Sequence, residues 1–134
     1  MLEKTITNKI IKRLNEDPHL FVWKRHSGQF DNLNGYPDIE GVYSLPITHD
    51  PDQEPYLIAI RVEIEMKKPG EKPRKLQKSR LRKLKRVGCI SGWATSVSEA
   101  RKLIDEQVAF IKEKIDQSYE ETEDQKQTKH KLSA

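Results

Sequence analysis

Two short stretches of the chain carry acidic and basic side chains in a pattern that suits chemistry on a phosphodiester. The first is the turn Gly35-Tyr36-Pro37-Asp38, and the second is Glu65-Met66-Lys67 at the end of a long apolar–polar alternation. Side chains two residues apart on a β-strand point to the same face, so Glu65 and Lys67 would project together. If the strand after Asp38 pairs with the strand that ends at Glu65, the register can bring both carboxylates and the lysine into one small area.

Two neighbouring carboxylates are costly unless a cation compensates their charge. A hard divalent ion such as Mg²⁺ takes oxygen ligands and commonly uses one or two carboxylates together with several waters. Such an ion lowers the pKa of a bound water and stabilises charge that develops on a phosphate. Lys67 would position that water or stabilise the oxyanion. The pattern therefore predicts metal-assisted hydrolysis of a phosphodiester bond.

A strongly basic segment begins at the same point of the chain. Residues 67–86 hold eleven Lys or Arg and the single acid Glu71, whereas the chain as a whole has 25 bases and 21 acids. A solvated helix face is the usual explanation of a charge run. The near absence of interleaved acids favours a polyanion instead, since phosphate contacts release counterions. We predict phosphate contacts, without base reading, from Lys68, Lys72, Arg74, Lys75, Lys78 and Arg82.

The spacing of apolar residues indicates the elements that must position these side chains. Leu2, Ile6, Ile10 and Leu14 recur every four residues, which predicts an amphipathic first helix. Residues 56–67 alternate cleanly and predict a long strand. The pattern as a whole predicts helices at 2–14, 75–87 and 97–115, and strands at 20–26, 36–43, 56–67 and 89–95.

This order, α-β-β-β-α-β-α, predicts an α/β fold with a central mixed sheet flanked by helices. A chain of 134 residues is expected to form one domain. We place that domain at residues 1–115 and predict a frayed or disordered tail at 116–134, which is almost devoid of apolar residues. No apolar run approaches a membrane span, and the lone Cys89 excludes an internal disulfide framework and fits a reducing cytoplasm.

The motifs together resemble a known group of nucleases. The turn and the Glu-x-Lys strand match the PD-(D/E)XK superfamily, and the fuller pattern is similar to its VRR-NUC (virus-type replication–repair nuclease) family. That family adds a basic loop, a glutamine that opens the next helix and a glycine that ends it. The matching positions, within a resemblance that spans residues 2–104, are Gly35, Pro37-Asp38, Glu65-Met66-Lys67, Gln77 and Gly88.

The resemblance implies a PD-(D/E)XK restriction-endonuclease-like core with four strands and a Mg²⁺- or Mn²⁺-dependent endonuclease activity. It implies metal binding by Asp38, Glu65 and the backbone carbonyl of Met66, with Lys67 assisting the attack of water. In related nucleases an acid on the first helix also approaches the metal, and Glu3 is the candidate, for catalysis and for metal binding through a water.

Two of the candidate catalytic residues have a plain structural alternative. Glu3 lies near a helix N-terminus, where the helix dipole alone favours an acid. The helical spacing of Gln77 turns it toward the sheet. The alternative, that it is an ordinary polar residue on the helix surface, has nearly equal weight. Glu63, which alternates with Glu65, is interpreted as a solvated or salt-bridged neighbour, although it could help bind a second metal. Glu40, which alternates with Asp38, is interpreted as structural.

The resemblance also implies a substrate and an assembly. Standalone phage and bacterial members act as homodimers on branched DNA, including four-way (Holliday) junctions, so we expect a homodimeric DNA-repair nuclease in a bacterial cytoplasm. The alternative is a non-catalytic nucleic-acid-binding module on a nuclease fold, and an RNA-directed nuclease is a weaker one because no RNP-type aromatic motif supports it. Trp23 and Trp93 are interpreted as core or dimer-interface residues rather than base-stacking platforms.

Overall fold

The computed structural model describes residues 3–26 and 35–133, with side chains from 4–26 and 35–129. The chain divides into two compact units, residues 1–104 and 105–134. The helices and strands, in chain order, are α1 Glu3–Leu14, β1 Leu20–Lys24, β2 Ile39–Ile47, β3 Tyr56–Met66, α2 Lys75–Arg86, β4 Ile90–Ala94 and α3 Val97–Ser133.

The four strands form one mixed sheet in the order β1-β2-β3-β4. β1 pairs with β2 and β2 with β3 in antiparallel fashion, whereas β3 and β4 run parallel. A parallel pair needs a crossover, and α2 supplies it between β3 and β4. The predicted fold class, a four-stranded mixed sheet flanked by helices in the order α-β-β-β-α-β-α, is confirmed.

Strand β3 is covered on both faces over its second half. The first half alternates in exposure, but every residue from Val62 to Met66 is buried. On one face Gly92 of β4 lies beside Ile64, and a Cβ there would come within 2.2 Å of Leu103, so α3 packs on this face. On the other face α2 lies over Glu65. The polar face of β3 is therefore an enclosed surface at this end, not a solvent-facing one.

The core consists of aliphatic side chains from the sheet and all three helices. Burying one such side chain contributes about 1.5–3 kcal/mol to stability. Fully buried members include Ile10, Leu14, Val22, Ile39, Val62, Ile64, Met66, Ile90 and Ile104.

Strand β2 is longer than predicted, because it continues past Tyr43 to Ile47. The predicted strands at 36–43 and 56–67 left residues 44–55, which hold three prolines, as the connection between them. Pro46 is tolerated in the strand because β1 ends its pairing at Tyr43, so that Pro46 has a strand partner only in Leu57 of β3. A proline is compatible with a strand that has one free edge.

Helix α2 ends at the predicted glycine. Gly88 has a φ of +102°, a conformation that glycine adopts without steric cost. Its N–H donates to the Lys85 carbonyl, and the Cys89 N–H donates to the Leu84 carbonyl. These two bonds form a Schellman motif, which satisfies the last carbonyls and turns the chain into β4.

Helix α3 continues through the segment that we predicted to be frayed or disordered, since residues 116–133 are helical. The shortage of apolar residues correctly indicates little burial, but glutamate, glutamine and lysine are good helix formers without it. Pairs one turn apart add support, such as Glu113 with Gln117 at 3.4 Å and Glu123 with Lys126 at 3.6 Å. Among the described residues, no helix is long and apolar enough to cross a membrane.

Candidate active site

The two motifs meet where β2 begins and β3 ends. Ile39 pairs with Ile64, so an extension of the antiparallel register by one residue places Asp38 opposite Glu65, the arrangement that the sequence allowed if the two strands paired. Asp38 Oδ2 accepts a hydrogen bond of 3.1 Å from the backbone N–H of Met66. This bond ties the acid of the turn to the Glu-x-Lys motif and fixes the spacing of the two carboxylates.

Glu65 lies at the centre of a polar cluster. Its side chain is almost fully buried, and its Oε1 accepts a hydrogen bond of 3.0 Å from Gln77 Nε2. Lys67 Nζ lies 3.7 Å from the same oxygen, and the lysine side chain is only 12% exposed. Hydrogen bonds from charged or amide donors hold a buried carboxylate in one orientation. The cluster therefore presents Glu65 beside Asp38 in a defined geometry.

Gln77 reaches Glu65 because the start of α2 fixes its side chain. Gln77 is the third residue of the helix, and its Oε1 accepts the backbone N–H of Arg74 at 2.8 Å. This is the half of a capping box in which a polar side chain satisfies a free N–H at the helix start. With its oxygen bound in this way, the amide nitrogen is oriented toward Glu65. Gln77 thus contacts the site, in line with the sequence interpretation that it looks toward the sheet.

The turn before Asp38 is held by a close glycine contact and by stacked cations. Gly35 has a φ of +83°, and a Cβ there would come within 2.7 Å of Leu76 in α2, so no other residue fits without displacement. Next to it, the Tyr36 ring has the guanidinium carbons of Arg25 and Arg80 each 4.8 Å from its centroid. These cation–π contacts join the residue that follows β1, the turn and α2.

A second polar cluster occupies the same sheet face farther from the turn. Glu40 accepts a hydrogen bond from Trp23 Nε1 at 2.9 Å and pairs with Arg25 and Arg61 at 3.4 and 2.8 Å. Arg61 also pairs with Glu63 at 2.8 Å. Burial raises the pKa of Glu63, and the ion pair with Arg61 opposes that shift without cancelling it. Glu63 is thus a buried, salt-bridged neighbour, whereas a solvated glutamate was one of the sequence expectations.

The oxygen donors at the site fit a Mg²⁺ or Mn²⁺ ion that keeps several waters. Asp38 and Glu65 provide two carboxylates, and such ions commonly take one or two from the protein. Within the described residues, no group of three or more acidic, histidine or cysteine side chains forms a fuller cage. Met66 contacts Asp38 through its backbone N–H, and ligation of the metal by its carbonyl stays a prediction. The Glu3 side chain lies outside the described part of the structure.

The side chains predicted to contact DNA lie at or near the surface. Lys68 is half-buried and lies directly after the Glu-x-Lys motif. The others are exposed in the loop and along α2, namely Lys72, Arg74, Lys75, Lys78 and Arg82. Their exposure leaves the ammonium and guanidinium groups available to an anionic partner.

Sequence reasoning missed the pair of arginines around Tyr36. Arg80 belongs to the basic segment but was not assigned a role, and Arg25 was not among the candidate site residues. Tyr36 lies 11 residues after Arg25 and 44 residues before Arg80. No motif indicates that its ring would bring the two arginines together. The one available signal was a tyrosine between the glycine and the proline of the turn, where a side chain must lie beside the site.

No protein-family model matches the sequence, and no curated protein is significantly similar to it. Among solved structures, the chain is similar to one described as a VRR_NUC domain protein, with a TM-score of 0.53 and 15% sequence identity. The likeness covers 81% of this chain and 89% of that chain. The two chains share a fold. The family resemblance drawn from the motifs is therefore supported at the level of the sheet and its flanking helices.

Proposed function

We propose that the protein is an endonuclease that uses a divalent metal ion to hydrolyse phosphodiester bonds in DNA. The observation that carries the proposal is the meeting of Asp38 and Glu65 across β2 and β3, with Lys67 Nζ 3.7 Å from Glu65. The basic segment that begins at this cluster supports a nucleic acid as substrate. The fold shared with a VRR_NUC domain protein supports the same reaction class.

The proposed roles follow from the chemistry of each side chain. Asp38 and Glu65 hold the metal, which when bound supplies a water of lowered pKa and positive charge at the scissile phosphate. Lys67, with its ammonium beside Glu65, orients the attacking water and stabilises the negative charge that develops on phosphorus-bound oxygen. Gln77 is a positioning residue, because it contacts Glu65 and holds it in place for the ion.

Metal titration separates this enzyme from a non-catalytic binding module on the same fold. We expect Mn²⁺ to bind the wild-type protein by calorimetry and to bind the Asp38→Asn variant far more weakly. Asp50→Asn is the matched control, since Asp50 is an exposed loop acid whose carboxylate accepts the Asp52 N–H. If the wild type takes up no Mg²⁺ or Mn²⁺, with or without DNA, the binding module is the better explanation.

A preference for branched DNA and a homodimeric assembly are part of the same proposal. Both rest on the sequence resemblance, and a dimer would offer two symmetric active sites to two strands. We expect faster cleavage of four-way junctions and flaps than of linear duplex, and a dimer in sedimentation at micromolar concentration. Equal rates on all three substrates would overturn the preference, and a monomer would overturn the assembly.

A further inference from the structure

A groove separates α2 from the edge strand β4, one strand away from Glu65. It has a volume of about 250 Å³, which is smaller than pockets for drug-sized ligands, typically about 300–1,000 Å³. Its floor includes Leu81 and Trp93, and its rim carries Lys78, Arg82 and Lys85. The groove is thus a shallow apolar slot with cations along one side, of a size suited to one planar group.

The three cations of the rim form a row along α2. Lys78, Arg82 and Lys85 are spaced by four and three residues, so they project from one side of α2. All three are exposed, and within residues 4–26 and 35–129 none of them pairs with a carboxylate. A row of unpaired cations beside an apolar slot complements an anionic chain that carries flat apolar groups.

Trp93 is the flat surface of this groove. Trp93 lies on β4, which is the edge strand of the sheet in the described residues. The residue is 37% exposed. In the parallel register Trp93 lies beside Glu65, and neighbouring strands are about 4.8 Å apart. The tryptophan therefore lies next to the candidate active site and not in the core, where the sequence interpretation had one of its two alternatives, whereas a place in a dimer interface stays a prediction.

We propose that this groove binds an unpaired nucleotide of the DNA next to the scissile phosphate. The base stacks on Trp93, and the flanking phosphates contact Lys78, Arg82 and Lys85. A base stacked on an aromatic side chain strengthens binding by about 5- to 150-fold, with little dependence on sequence. The inference rests on the proposed nuclease function and names its substrate class, which is DNA with unpaired nucleotides beside the cut.

The two tryptophans of the chain make the inference directly testable. In the Trp23→Phe variant, Trp93 is the sole tryptophan, and in Trp93→Phe the sole tryptophan is Trp23. We expect a short oligo-dT, added in EDTA so that no cleavage occurs, to quench the fluorescence of Trp23→Phe and to leave that of Trp93→Phe nearly unchanged. Heparin, which is anionic but has no bases, should quench neither.

Binding of labelled oligo-dT, followed by anisotropy at fixed salt, supplies the second readout. We expect Trp93→Leu to weaken binding by about tenfold or more, while Trp93→Phe, which keeps an aromatic ring, retains most of the affinity. Arg82→Gln should weaken binding more than Lys83→Gln, which removes the same charge from an exposed α2 position outside the groove. Circular dichroism confirms that each variant is folded.

The outcomes separate this inference from the proposed function. Unchanged oligo-dT affinity in a folded Trp93→Leu variant, or equal quenching by heparin, overturns the groove even if metal-dependent cleavage persists. Absence of any cleavage by the wild type, with Trp93-dependent binding intact, overturns the nuclease and leaves a single-strand-binding groove. Tighter binding of an oligo-U than of oligo-dT would assign the groove to RNA and overturn the stated substrate.

Discussion

At the scale of single residues, partners decide what two similar acids can do. Glu63 and Glu65 are both buried on the same face of β3, at 4% and 2% exposure. Glu63 forms an ion pair with the guanidinium of Arg61, which lies on the same strand. Glu65 instead accepts a hydrogen bond from the neutral amide of Gln77 and lies near Lys67. A guanidinium occupies a carboxylate in a fixed ion pair, so Glu65, with Asp38 opposite, is the acid suited to bind a metal.

Replacing Gln77 by methionine should destabilise the protein because it removes the buried donor to Glu65. A hydrogen bond to a charged group contributes about 1.5–3 kcal/mol, and we expect the free energy of unfolding in urea to fall by about that amount. Lys83→Met, at an exposed position of the same helix, is the control and should change it by less than about 0.5 kcal/mol. Equal stabilities of the two variants would show that the Gln77–Glu65 contact contributes little.

The pH dependence of Glu63 follows from its burial, which raises its pKa above that of the unfolded chain. The folded state then holds a proton more strongly than the unfolded state, so the stability due to this group is present at low pH. That stability is lost as pH rises through the folded pKa. In urea unfolding, Glu63→Gln should therefore lower the free energy of unfolding, relative to the wild type, by more at pH 4 than at pH 7. The opposite trend would mean that the ion pair with Arg61 dominates.

At the scale of elements, the site depends on close approach between neighbouring strands. Gly41 lies opposite Val22 in β1 and Val62 in β3. A Cβ at this position would come within 2.3 Å of the Phe21 carbonyl oxygen and 2.6 Å of Val22 Cα. Because backbone atoms cannot rotate away as side chains do, the glycine maintains the pairing that sets the start of β2 and hence the placement of Asp38.

Gly41→Ala should therefore be much more damaging than an alanine at a glycine with open surroundings. Gly70 is the control: it has a φ of +88° and no atom within 4 Å of an added Cβ. We expect Gly70→Ala to cost about 1–3 kcal/mol through backbone strain alone, and Gly41→Ala to lower the thermal midpoint further by separating β1 from β2. Similar midpoints for both variants would show that β1 can move aside.

The sequence allows the meeting of Asp38 and Glu65 for a physical reason. The alternation in 56–67 determines which face of β3 is apolar, and a register slip of one residue would expose all of it. The same alternation does not indicate that α2 covers the polar face, so the Gln77–Glu65 contact depends on tertiary placement. The exposure of Trp93 also depends on tertiary placement, since it follows from the position of β4 at the edge of the sheet. Helix α3 extends past residue 115, where the prediction ended it, because apolar content reports burial rather than helix formation.

At the scale of the whole molecule, charge and chemistry lie together in the unit formed by residues 1–104. The loop and α2 carry eleven bases and one acid within residues 67–86, and α2 packs on the sheet face that holds Glu65. A concentrated positive field speeds the encounter with an anionic chain. DNA drawn to α2 would therefore arrive on the side of the sheet where Asp38, Glu65 and Lys67 meet.

The central claim is that Asp38 and Glu65 form a metal-dependent nuclease site, and a matched pair of variants tests it most directly. Glu65→Gln and Glu63→Gln each remove one buried charge from the same face of β3. With Mg²⁺ or Mn²⁺ and a branched DNA substrate, we expect Glu65→Gln to cleave at least about a hundredfold more slowly than wild type, because it loses a metal ligand. Glu63→Gln should cleave at the wild-type rate, and EDTA should stop both. Cleavage by Glu65→Gln at the rate of Glu63→Gln would contradict the assignment.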